Sequence, residues 1–155
     1  MKQILIALDY DPTAQKVAET GFTIAKSMNA EITLLHVLSE SEHYSTVAHT
    51  TIMGFGGFPY IAPLTKDEVE LLNETCHDFL EKSKHHLGDE SIKTLVKKGN
   101  IAEAILLAAH ETHAEAIVIG SHSQKWLENI LMGSVTEEVL KQTKIPLFII
   151  PTKKH

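Results

Sequence analysis

The sequence predicts an α/β fold: an open parallel sheet of five strands with helices on both faces. Three observations support this prediction. Five short apolar runs are spaced along the chain, and such runs are typical of buried parallel strands. Helical patterns separate the runs, so that strand and helix alternate from end to end. The length of 155 residues, with 43% hydrophobic and 22% charged residues, suits one domain with its own core.

The first strand is predicted over Gln3–Leu8, where a run of Ile and Leu ends in acidic residues. A helix follows within residues 11–30. Pro12 suits its first turn, apolar residues then recur at helical spacing, and Asn29 is a plausible stop. The apolar run Glu31–Leu38 predicts the second strand.

Residues 39–65 contain three glycines and two prolines and show no sustained period, which predicts a long variable loop. A loop of this length is either a functional lid or a mobile excursion. The strongly amphipathic segment Lys66–Gly88 predicts a helix that glycine closes, with Cys76 on its core side as an inert thiol. Alternating apolar residues in Ser91–Gly99 predict a third strand, at a sheet edge.

The last four predicted elements are two helices and two strands. A helix is predicted over Asn100–His113, with Asn100 as its N-cap, and a fourth strand over Ala114–Gly120. A final helix is predicted over Gly133–Thr143, and Ile145–Pro151 is the last apolar run. The whole chain, residues 1–155, is therefore expected to form a single domain.

The bulk properties exclude several classes of protein. The net charge of −6 disfavours binding to nucleic acid or to an anionic membrane, because both need clustered cations. No apolar run is long enough to span a bilayer, and the N-terminus is a poor signal peptide, so a cytoplasmic location is expected. A single cysteine allows no disulfide within the chain and no cysteine-rich zinc site.

Chemically distinctive residues stand at the ends of two strands and at the start of one helix. Asp9 follows the first strand, and Gly120 begins the segment "GSHS" after the fourth. In open parallel sheets, ligands bind beyond the carboxyl ends of the strands. Ser134 and Glu137 match a capping box, which predicts that Ser134 caps the last helix. The same helix start would attract an anion, and Gly133 would allow a phosphate to approach the backbone.

The segment "GSHSQKWLENILMGSVTEEVL" resembles the nucleotide-binding segment of the universal stress protein family, whose pattern is G-x2-G-x9-G-(S/T). Gly120, Gly133 and Ser134 fall in register, and Ser123 stands at the second glycine. "ILIALD", "AEITLLHV" and "IPLFIIP" resemble the first, second and last strands of the family. The resemblance extends from Lys2 to about Pro151, except in the loop 39–65. It implies a Rossmann-like sheet of order 3-2-1-4-5, in which the switch point lies between the first and fourth strands.

The resemblance also implies a site for ATP or AMP, with Mg²⁺ accompanying the phosphates. Asp9 and Val37 would contact the adenosine end, close to Ala7. Asp9 would otherwise cap the next helix, and Val37 would otherwise belong to the core. The implied residues that wrap the ribose and phosphates lie at the fourth strand and around the last helix start: Ile119, Gly120, Ser121, His122, Ser123, Lys125, Gly133, Ser134, Val135 and Thr136. His122 and Lys125 would otherwise be solvated surface residues.

Ser123 is the specific departure from the family pattern. Glycine permits a positive φ angle and a close backbone approach, whereas serine costs about 1 kcal/mol or more if φ is positive. If φ is negative, serine fits, and its hydroxyl would donate to a phosphate. The family contains members that bind ATP and members that do not, so the substitution predicts weakened or altered phosphate contacts.

The ten histidines are scattered and predict no protein-only metal site. His85 and His86 are adjacent, which does not place both on one helical face, and no known zinc motif is present. A zinc site between His43 and His49 is the weak alternative. His36 ends a buried strand and is predicted to be a structural histidine.

Three functions remain open from the sequence. The leading hypothesis is a cytosolic stress-response protein that binds ATP or AMP, signals through its bound state and forms a homodimer through the final strand. The second is a dimeric interaction module of the same family that binds no nucleotide and acts through its dimer face and the loop 39–65. The third is a slow ATPase, which is disfavoured because no acid–base pair or nucleophile–base arrangement lies near the motif.

Overall fold

In the computed structural model, the described residues are 1–9, 12–38, 66–121 and 134–152. Across these ranges, strands and helices alternate as the sequence predicts. The elements are β1 (Lys2–Ala7), α1 (Ala14–Ser27), β2 (Ala30–Leu38), α2 (Lys66–Leu87), β3 (Lys93–Lys98), α3 (Ile101–Glu111), β4 (Ala116–Gly120), α4 (Ser134–Gln142) and β5 (Leu147–Ile150).

The five strands form one sheet of order β3-β2-β1-β4-β5, and every pair is parallel. This order confirms the arrangement that the family resemblance implies, and it confirms β3 as an edge strand. In register, Ile4 of β1 lies opposite Ile32 of β2 on one side and Ala116 of β4 on the other. Strands β2 and β3 lie on one side of β1, and β4 and β5 lie on the other. The strand order therefore reverses between β1 and β4, and open α/β sheets bind ligands at such a point.

The helices cover both faces of the sheet, as predicted. Ile4 and Ile6 of β1 belong to a core cluster with residues of α1 and α2. Leu5, which points to the other face because side chains alternate along a strand, belongs to a second cluster with residues of α3 and α4. Each strand of the sheet centre is thus buried on both sides, which explains its nearly continuous apolar sequence.

The residues predicted to end α1 and to begin α3 do so, whereas the residue predicted in the first turn of α1 lies before the helix. Asn29 follows α1 in the left-handed region with φ of 53°, a conformation that asparagine tolerates. Asn100 caps α3, and its side chain accepts a hydrogen bond of 3.0 Å from the backbone N–H of Glu103. Pro12 does not lie in the first turn of α1, because the helix begins at Ala14 with Thr13 at the N-cap position.

Two polar or reactive side chains predicted to be structural are buried in the core. Cys76 is buried on the inner side of α2. His36 is buried at the end of β2, where its Nδ1 lies 2.7 Å from the carbonyl oxygen of Leu8. Phe79 of α2 meets the His36 ring edge-on, with 5.8 Å between ring centroids. His36 therefore ties the end of β1 to β2 and to the helix layer above.

Candidate functional site

The candidate site is built on the carboxyl ends of β1 and β4, which are neighbours in the sheet. Leu8 continues the pairing of β1 beyond its last strand residue by donating from its N–H to Leu35 O at 2.8 Å. Asp9 is the next residue and is partly buried. On the neighbouring strand, Gly120 is the last residue of β4. The structure therefore brings Asp9 and Gly120, which are 111 positions apart in the chain, to adjacent strand ends.

Of the three apolar residues predicted at this site, one is partly buried at the strand end and two lie in the core. Ala7 is partly buried at the end of β1. Val37 and Ile119 are buried, and both belong to the core cluster beneath α3 and α4. Of the two interpretations of Val37, the position of its side chain supports the core role.

A side-chain hydrogen bond holds the start of α4 against the end of β4. The Thr136 hydroxyl donates to the carbonyl oxygen of Gly120 at 2.7 Å, and Thr136 is buried. In this structure the single hydroxyl hydrogen of Thr136 is used by Gly120, which leaves its backbone N–H as the group predicted to reach a phosphate. Thr136 instead sets the distance between the helix start and the strand end.

The hydrogen bonds of Ser121 connect the end of β4 to the end of β5. Its backbone N–H donates to Ile150 O at 2.8 Å, and its Oγ accepts from the Thr152 N–H at 3.0 Å. The two hydroxyl oxygens of Ser121 and Thr152 lie 3.4 Å apart, and both residues are buried. Ser121 therefore joins β4 to the end of β5 through its backbone N–H and its hydroxyl oxygen.

Gly120 has a packing reason to be glycine. A Cβ atom at this position would lie 3.0 Å from Thr152 Cγ2 and 3.2 Å from Val17 Cγ2. The absent side chain thus lets the segment after β5 and the first turns of α1 approach the strand end. Sequence reasoning missed Thr152, because a threonine after an apolar run carries no signal for the contact that it makes.

The described start of α4 is the part of the site at which the sequence predicts an anion. The described part of α4 begins at Ser134, which is exposed, and the capping-box role of Ser134 stays a prediction. Val135 is partly buried and packs against the core cluster below. The first four backbone N–H groups of a helix have no partner within it and carry a partial positive charge, so they favour an anion there.

Several predicted residues fall outside the described ranges. They are the four that would complete the phosphate-binding loop: His122, Ser123, Lys125 and Gly133. The same holds for the suggested zinc pair His43 and His49 in the loop 39–65. Within the residues that the structure describes, no group of three or more His, Cys, Asp or Glu side chains is placed to hold a metal ion.

The sheet order agrees with comparisons to known proteins. The universal stress protein family matches residues 1–151. The chain belongs to this family. Among its relatives is the universal stress protein MJ0577 of Methanocaldococcus jannaschii, which is 30% identical over 156 residues, with 98% of this chain and 96% of the relative covered. The stress response protein NhaX of Bacillus subtilis is 24% identical over 161 residues, with 96% of each chain covered.

Solved structures of family members share the fold of this universal stress protein domain. A structure of MJ0577 superposes with a TM-score of 0.73 at 26% identity, and the match covers 99% of this chain and 98% of that one. A universal stress protein solved in complex with cAMP has a TM-score of 0.62 at 16% identity, with 97% of each chain covered. The second likeness shows the fold alone.

Proposed function

We propose that this universal stress protein binds an adenine nucleotide, ATP or AMP, in the crevice between the ends of β1 and β4. One observation carries the proposal: the sheet order brings Asp9, the end of β4 and the start of α4 together at the switch point. The protein with nucleotide bound would then differ from the free protein in the positions of the groups around this crevice. This difference would provide the signal in a stress response. A cytoplasmic location belongs to the same proposal, and none of the helices in the described part of the chain has the length and apolar character of a membrane span.

The phosphates would lie at the start of α4. The backbone N–H groups of Ser134, Val135 and Thr136, in the first described turn of α4, would donate to the phosphates. Because Thr136 is bonded to Gly120, this turn is held at a constant position beside the strand end. His122, Ser123, Lys125 and Gly133 complete the proposed loop, and Mg²⁺ would accompany the phosphates.

The adenosine end would lie toward β1. Asp9 is partly buried next to the strand end, and a carboxylate there would accept a hydrogen bond from a ribose hydroxyl or from the adenine amino group. Ala7, the last residue of β1, offers a small partly buried side chain beside it. These two residues would distinguish a nucleoside from inorganic phosphate.

The direct test is to identify nucleotide released by heat from the purified chain, followed by calorimetric titration of the emptied protein with ATP, AMP and cAMP. We expect ATP or AMP to bind, and we expect Asp9→Asn to weaken binding by about tenfold, since a hydrogen bond to a charged group contributes roughly 1.5 kcal/mol. Asp78→Asn is the matched control, because Asp78 is an exposed acid on α2. A Ser123→Gly variant reports whether serine at that position weakens phosphate binding.

Two results would reject the proposal: no released nucleotide together with no heat of binding at millimolar ATP and AMP, or equal losses of affinity in Asp9→Asn and Asp78→Asn. Binding without turnover would separate the nucleotide sensor from the slow ATPase. Release of a nucleotide that Asp9→Asn retains in full would place the adenosine end elsewhere.

We also propose that the chain forms a homodimer through β5. β5 is an edge strand, and its Phe148 side chain is 37% exposed although it is large and apolar. Exposed apolar edges favour pairing with another chain. By light scattering, we expect Phe148→Glu to shift a dimer to a monomer, while Leu71→Glu, at an equally apolar but more exposed position on α2, leaves the dimer intact. A monomeric wild-type chain would contradict this proposal.

A further inference from the structure

A groove of about 340 Å³ lies between α1 and the C-terminal half of α2. Its volume is within the range of about 300–1,000 Å³ that small-molecule sites occupy. It opens on the face of the sheet that carries α1 and α2, whereas α4 packs on the opposite face. The groove is therefore separate from the helix start proposed to hold phosphates.

One part of the groove is apolar. Pro12, Ala14 and Ala18 line it from the α1 side, and Phe79 lines it from α2. The two alanines are buried and small, which leaves the space between the helices open. Phe79 is only partly buried although it packs against the core, so part of this side chain remains accessible. These walls suit a flat apolar body, and aromatic rings pack favourably against one another.

The other part of the groove carries positive charge. Lys82 and His86 line it, separated by one helical turn of α2. Lys82 is exposed, and no carboxylate in the described part of the chain forms an ion pair with it. Ser83 also lines the groove, but its hydroxyl donates to Phe79 O at 2.9 Å and is not a free donor.

The carboxylate of Glu19 on α1 is held by two residues that line the groove, His86 and Gln15. Glu19 Oε1 lies 2.6 Å from His86 Nε2 and accepts a hydrogen bond of 3.0 Å from Gln15 Nε2. The hydrogen bonds from His86 and then Gln15 lower the pKa of Glu19. Among the described residues that line the groove, Lys82 is therefore the basic side chain that no carboxylate of the described ranges pairs with. A single cation beside an apolar wall fits a monoanion better than a phosphate chain, which needs several donors.

We propose that the groove between α1 and α2 binds a small aromatic carboxylate, with its ring between Phe79 and the α1 wall and its carboxylate on Lys82. Such a ligand satisfies both parts of the groove at once. The ring removes apolar surface from water, and the ammonium forms a charge-assisted hydrogen bond with the carboxylate.

The test uses phenylacetate as the probe and phenylacetamide as its neutral analogue, with amide chemical shifts of the full chain followed by NMR. We expect phenylacetate to shift amides around the groove, including those of Ala18 and Ser83, with millimolar affinity. We expect phenylacetamide, and phenylacetate with Lys82→Gln, to bind about fivefold more weakly, as the loss of one exposed charge pair implies. Lys98→Gln removes an exposed lysine from β3 and should bind as the wild type does.

A second variant tests the location of the site without altering charge. Ser83→Leu adds a larger side chain at the partly exposed wall of the groove and should abolish the shifts caused by both probes. The proposal is overturned if phenylacetate at about 20 mM causes no shifts around the groove, a concentration chosen to saturate a millimolar site. It is also overturned if Lys82→Gln or Ser83→Leu binds phenylacetate as well as Lys98→Gln does.

Discussion

The hydrogen bond between Thr136 and Gly120 is the contact on which the geometry of the proposed nucleotide site depends. Replacing Thr136 with valine removes the hydroxyl and keeps the shape of the side chain. The lost bond contributes about 1 kcal/mol, and the Gly120 carbonyl that loses its donor adds up to about another 1 kcal/mol. Because Gly120 is partly accessible to water, we expect the sum to stay between about 1 and 2 kcal/mol in the free energy of unfolding.

Thr136→Ser is the matched control. It keeps the hydroxyl and removes one buried methyl group, which costs about 1 kcal/mol through the small cavity that it leaves. The two variants should therefore have similar free energies of unfolding but differ in the position of the α4 start. We expect nucleotide affinity to fall in Thr136→Val and to remain near the wild-type value in Thr136→Ser.

Urea unfolding followed by circular dichroism measures the first quantity, and calorimetric titration with ATP or AMP measures the second. A constant m-value would show that both variants unfold from the same compact state. The reasoning would be refuted if Thr136→Val unfolded with the same free energy as the wild type. Equal nucleotide affinities in the two variants would refute the positioning role while leaving the stabilising role in place.

Two further outcomes test the packing of α1 and the charge network at its end. Hydrogen bonds from Lys26 and then Ser91 lower the pKa of Asp89 to about 2, below its value in the unfolded chain. This carboxylate therefore stabilises the fold above about pH 4, and its contribution, about 1 kcal/mol after solvent screening, is lost as the pH falls toward 2. Urea unfolding should show Asp89→Asn less stable than the wild type at pH 7, with a smaller deficit at pH 2, where about half of the folded-state carboxylate is protonated; a deficit of the same size at pH 2 would contradict the assignment. For Gly21, a Cβ atom would lie 2.8 Å from Ile6 Cδ1, so Gly21→Ala should destabilise the fold by about 1 kcal/mol despite its higher helix propensity. Ile6→Val deletes that Cδ1 atom, so the double variant should lose less than the sum of the single variants; strict additivity would show that the contact is relieved elsewhere.

Much of the fold follows from local signals. The apolar runs predict all five strands, although their ends shift by one or two residues, as element boundaries commonly do. Asn29 and Asn100 mark helix ends because their side chains and backbone preferences act within a few residues. Cys76 and His36 were placed correctly in the core because helical and strand periodicity determine which face a residue occupies.

The site was less predictable, because its hydrogen bonds join residues far apart in the chain. Ser121 and Thr136 stand in the predicted motif, yet their hydroxyl groups contact Thr152 and Gly120 rather than an open crevice. Short-range patterns identify which residues gather at a site, but they do not state which of two available partners each polar group takes.

By itself, the sequence determined the alternation of strands and helices, the faces that are buried, and membership of a family through a motif spread over the chain. These properties depend on the period of apolar residues and on local backbone preferences, which neighbouring residues decide. The tertiary structure alone decided that Thr136 holds the start of α4 to β4, that Gly120 makes room for Thr152 and Val17, and that α1 and α2 leave a groove beside Lys82. Such contacts arise only when distant segments pack, because each polar group then takes the partner that packing brings within reach.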